Sequence, residues 1–252
     1  MGKENYLKYY LNQPIETSVG KPLYCILLKD WENYIKIASK YLTICDLFLR
    51  RRLELSEEIK LFDYIILVAI NENDIGNLEQ MFSLAFREPV KCFAMFKQGK
   101  IDIERTFFAV GDFDEKKYVI NRDNYEEIRE IMMEQSLLHD PLVGKNELSQ
   151  KLIDKAIEKK ARSMSNGKKS STEAMLVLNS TAFPIDLETY TFYQLQAQYE
   201  ILNRKENALA VHIYRSQGAK IDPIMLNEDL SIHDNPYSFE KLFRVDNKQL
   251  GG

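Results

Sequence analysis

Between Tyr190 and Gly218 the chain reads YTFYQLQAQYEILNRKENALAVHIYRSQG, 29 residues that carry five aromatic rings. Tyr190, Tyr193, Ala197 and Ile201 share one helical stripe, and Phe192, Leu195, Tyr199 and Leu202 share a neighbouring one. A helix apolar over so wide an arc needs cover on most sides, which places it centrally in a fold. Asn203 and Glu206 have capping-box spacing, so a second helix is expected from there to Gly218, a natural C′ glycine. The stretch has one histidine, no cysteine and no carboxylate pair on one face, so it reads as packing, with Ile201 and Leu202 in the core.

The front of the chain mixes two periods. KPLYCILL, 21–28, is a short apolar run of strand formers and reads as a buried strand. Asp30 is the expected N-cap of a helix in which Trp31, Tyr34, Ile37, Ala38, Tyr41, Leu42 and Cys45 recur at three- and four-residue spacing, running on into LRRRL. Arg50, Arg51 and Arg52 there suit the negative end of a helix dipole. Ser56 is expected to cap the next helix, with Glu57 and Glu58 in its first turn, and a further helix follows from Asn73 until Pro89 ends it. VKCFAMF and KIDIERTFFAV flank Gln98-Gly99, a hairpin signal, and KKYVIN offers a third strand.

From Asp123 the period is helical. Asp123 and Glu126 suggest a capping box before YEEIREIMMEQSLL, whose Tyr125, Ile128, Met132 and Leu138 form part of one apolar face. After Pro141 and Gly144 a charged helix leads to SNGKKSS, an exposed linker by composition. Ser170 and Glu173 repeat the capping spacing before AMLVLNSTAF. The expected fold is therefore α+β and mostly α-helical. A small antiparallel sheet with helices occupies 1–122, and a helical half with a linker near 163–171 and a polar C-terminal tail occupies 123–252.

No stretch carries a specific catalytic motif. The dipeptides His139-Asp140 and His233-Asp234, with His212 and Asp246, have the residue types of a metal-dependent phosphohydrolase. Both dipeptides precede proline in turn-like segments, however, where a local Asx-turn is the simpler role. Around Gly167-Lys168 the phosphate-loop pattern fails, because Arg162 and Lys169 stand where glycine and a hydroxyl are required. Lys145 to Lys169 is basic but lacks aromatic residues for stacking on bases. With 34 Lys and Arg against 38 Asp and Glu, the chain has no overall cationic footprint, so nucleic acid is not an expected partner. Cys25, Cys45 and Cys92 sit in apolar runs without CxxC spacing and read as reduced, buried thiols of a cytoplasmic protein. The longest apolar run, 64–70, is far too short for a membrane span.

The order YVINRDNYEEIREIMMEQSLLHDPLVGKN from Tyr118, a charged helix, DLETYTFYQLQAQYEILNRKENALAVHIYRSQGAKI and LNEDLSIHDNPYSFEKLF resembles the tail assembly chaperones and related small tail-module proteins of phages infecting Gram-positive bacteria. The resemblance covers most of the second half and, more loosely, 14–109. It implies a non-enzymatic helical protein of the host cytoplasm, with no cofactor and no metal. Such a protein binds the tape measure protein, keeps its apolar surfaces from aggregating, and leaves before the tail is complete. A virion structural subunit of tail or baseplate, and a phage regulatory or anti-defence protein binding a host protein, are the alternatives. A chaperone needs apolar surface with a polar rim. Ile232, Tyr237, Phe239, Leu242 and Phe243, interspersed with Asp229, His233, Asp234, Glu240 and Lys241, supply that pattern and are the expected partner-binding residues.

Overall fold

The computed structural model describes residues 4–56, 59–97, 100–166, 172–182, 184–223 and 231–243. In chain order the elements begin with α1 (Glu4–Tyr10), α2 (Leu28–Tyr41), α3 (Asp46–Arg52), α4 (Leu61–Asn71) and α5 (Ile75–Phe86). The strands are β1 (Val90–Lys97), β2 (Lys100–Val110) and β3 (Val119–Ile120). Then come α6 (Tyr125–Gln135), α7 (Glu147–Asn166), α8 (Thr172–Ser180), α9 (Phe192–Ser216) and α10 (Phe239–Phe243). The fold is mixed α+β and mostly helical, with one antiparallel sheet in the order β1-β2-β3.

The hairpin follows its sequence signal: Lys97 pairs with Lys100, and a register shift between Phe93 and Met95 bends it. Phe108, fully buried, packs its ring against Phe62 of α4 and Phe82 of α5, which fixes the sheet to the helices. One apolar core takes residues from α1, α2, α4, α5, the sheet, α6 and the start of α9. The change of element type at 122/123 therefore leaves the core continuous. Ile128, Ile131 and Met132 of α6 bury in the same cluster as Leu23, Tyr34 and Phe82.

Several local expectations need correction. In 21–28 only Leu23, Cys25, Ile26 and Leu28 are buried, and the segment before α2 forms only isolated bridges, Ile15 with Leu23 and Leu27 with Thr191. Its backbone groups find partners one at a time in separate segments, as when Tyr24 N–H donates to the Ala85 carbonyl and Leu28 N–H to that of Tyr190. The long helix expected after Asp30 is two helices. Leu27 rather than Asp30 is the N-cap of α2, and Cys45, extended at φ -124° and ψ 163°, opens α3. Ser56 caps no helix, since α4 begins at Leu61; residues 57–58 lie outside the described residues. Asn124, not Asp123, precedes α6. Its amide accepts from Asn121 N–H (2.9 Å) and donates to the Val119 carbonyl (2.8 Å). Of the expected linker, 163–166 belong to α7, while 167–171, including the proposed cap at Ser170, lie outside the described residues.

The largest correction concerns α9, which is a single helix of 25 residues. Neither glycine nor proline occurs from Thr191 to Gln217, and Arg204 bonds Glu200 (3.0 Å) across the expected break. With no breaker present, the helical hydrogen-bond ladder outweighs the local capping preference of Asn203. The helix starts at a capping box: Gln194 N–H donates to Thr191 Oγ1 (3.2 Å) and Thr191 N–H donates to Gln194 Oε1 (3.0 Å). It stops at Gly218, where φ is +93°, and Ala219 N–H reaches back to the Tyr214 carbonyl (3.0 Å) as in a Schellman end.

Candidate partner-binding surface

The C-terminal segment with the cavity beside it and the outer half of α9 are the regions that bear on partner binding. The C-terminal segment, 231–243, lies back on the body. Ile232 packs against the main core and α10 packs against α7. Lys160 donates to the Pro236 carbonyl and holds its ammonium 5.9 Å from the centre of the Tyr237 ring. Asn235 Oδ1 accepts from Tyr237 N–H (2.8 Å), so the Asx-turn expected here is built by Asn235 rather than Asp234. Leu242 and Phe243 are half-buried. Of the five expected partner-binding residues only Phe239 stands clear, 60% exposed, with its ring 4.8 Å from that of Phe243. The segment thus covers most of its own apolar side chains.

His233 is the pin of this segment. Its ring stacks on Tyr6 at 3.5 Å and 5°, and its Nε2 lies 2.5 Å from Tyr193 Oη. Burial drives the Tyr193 pKa upward, so the phenol keeps its proton and shares a hydrogen bond with Nε2. Burial first, and the neighbouring His139 second, push the His233 pKa down from 6.5 to about 4. The free segment therefore takes up a proton that the docked segment refuses, and docking weakens as pH falls from 6.5 toward about 4. Above that window it is insensitive to this group. Melting curves should show wild type losing stability through this window more steeply than His233→Gln, whose profile is expected to be flatter.

The two His-Asp dipeptides lie toward one cavity, which His139 and Asp140 line with Asn235 and Pro236, the residues that follow Asp234. This cavity, of about 510 Å³, is also lined by Phe48, Val143, Ile157 and Tyr237. Asp140 is paired with Arg129, whose Nε also donates to the Leu42 carbonyl (2.8 Å), so this carboxylate has a structural role. His212 sits apart on the exposed half of α9, and Asp246 lies outside the described residues. Among the described residues no group of three His, Cys, Asp or Glu could hold a metal ion, and no helix is long and apolar enough to cross a membrane.

The helix α9 has two different halves. Its first turns are enclosed: Tyr193, Leu195 and Ala197 are buried, and Trp31 stacks on Phe192 at 3.6 Å. Gln194 Nε2 donates to the Tyr10 carbonyl (2.8 Å), and the buried Asn179 of α8 donates to that of Leu195 (3.0 Å). Ile201 and Leu202, expected in the core, are only half-buried where the helix leaves the body. From Lys205 to Ser216 every residue is exposed except the half-buried Ala208 and Val211. At 1.5 Å per residue this outer half extends roughly 18 Å. It presents Leu209 at 62%, Ile213 at 47% and Tyr214 at 56% exposure. Packing is thus the role of the first half alone. The three- and four-residue spacing that identifies an apolar face, continued here through Leu202, Leu209 and Ile213, was the available signal for the second.

In comparison with known proteins, no family model, no curated protein and no solved structure matches the chain.

Proposed function

We propose that the chain is a non-enzymatic assembly factor that holds a partner protein on the outer half of α9. The partner in this reading is the tape measure protein of a phage tail, and the chain is a tail assembly chaperone acting in the host cytoplasm. One observation carries the reading: a helix anchored by its buried first turns presents Leu209, Ile213 and Tyr214 to solvent. Apolar side chains on a firmly anchored helix can cover a partner's apolar segment with little loss of conformational freedom. The phage assignment is supported by the resemblance of 118–243 to the tail assembly chaperones.

Mass spectrometry of infected-cell lysate and of purified particles tests the assignment. A chaperone is expected in the lysate and absent from mature particles. Stoichiometric presence in particles would make the chain a virion subunit instead.

A further inference from the structure

Leu202, Glu206, Leu209, Ile213 and Ser216 succeed one another at alternating four- and three-residue steps, the seam of a helix pair. On one side of this seam the exposed residues are Lys205, His212 and Arg215; on the other they are Asn207, Ala210 and Tyr214, none of them charged. In this outer half the only acid is Glu206, within the seam itself. Resting on the reading of this face as a binding surface, we infer that its occupant is an amphipathic helix with an apolar seam and an acidic edge.

The acidic edge follows from charge complementarity with Lys205 and Arg215. A second copy of this chain fits poorly. Antiparallel pairing about a twofold brings the two basic edges together, and parallel pairing sets Glu206 against its own counterpart. A foreign helix avoids both repulsions when it carries acids along its flank and a hydrogen-bond donor opposite Glu206.

Fluorescence anisotropy on the full chain tests this with two synthetic amphipathic peptides of about 28 residues, long enough to hold a helix. Both have a leucine seam; one has glutamate and the other lysine along its edges. At about 0.1 M salt the glutamate peptide should bind at least roughly tenfold tighter, with the gap narrowing as salt rises. K205E combined with R215E, both at exposed positions, should reverse the order. Equal binding, preference for the lysine peptide, or no binding of either overturns the inference. So does concentration-dependent self-association that L209E abolishes. Failure of the tape measure assignment with the glutamate preference intact leaves this inference standing, whereas rescue of the tape measure protein without peptide binding removes it alone.

Discussion

Leu195→Ala is expected to lower stability by about 2–5 kcal/mol, because it empties a site enclosed by Leu28, Met175 and the flanking aromatics. For a chain of this size that corresponds to a fall in melting temperature of roughly 10 °C. Leu209→Ala, two helical heptads further along α9, removes the same atoms from a side chain 62% exposed and should stay within about 0.5 kcal/mol of wild type. The contrast comes from burial alone, since residue type and helix are the same. Thermal melts of both variants check it. Equal losses would show that the outer half is covered by the body.

The second large effect concerns binding. L209E with I213E places two carboxylates on the seam at positions already in water, so the fold should melt as wild type does. Partner binding should suffer heavily. Two central contacts each contributing about 2 kcal/mol or more together weaken affinity by roughly a thousandfold. Leu195→Ala is the control with the opposite signature, a lower melting temperature without a specific binding defect at temperatures where it is folded.

The legible parts of this fold are those with strong local chemistry. Strand formers around Gln98-Gly99 announced the hairpin, and three-residue and four-residue apolar spacing announced α2, α5 and α6. Residues 21–28 were misleading because a segment that packs against the core reads as the same apolar run whether or not a strand ladder forms. At Asn203 a cap signal competed with an unbroken helical stretch and lost. The real cap, Thr191 with Gln194, had the readable T-x-x-Q pattern one residue into the same stretch.

The binding surface was harder to read, for a physical reason. Ile232, Tyr237, Leu242 and Phe243 have the composition of a partner-binding tail, but composition does not say whether a segment folds onto its own body. Here the Tyr6 and Tyr193 rings, Lys160 and α7 provide that cover. In the outer half of α9, alternating cationic and apolar residues look like an ordinary solvated helix. Only its distance from the core leaves Leu209, Ile213 and Tyr214 without neighbours to hide them.

Co-expression with the tape measure protein of the same phage tests the central claim most directly. The soluble yield of that protein should rise with the wild-type chain and fall back to the unassisted level with L209E/I213E. It should be largely retained when the chain is truncated after Asp222, which leaves α9 whole. Unchanged rescue by the double variant, or loss of rescue confined to the truncation, would contradict the account and return the binding role to the C-terminal segment.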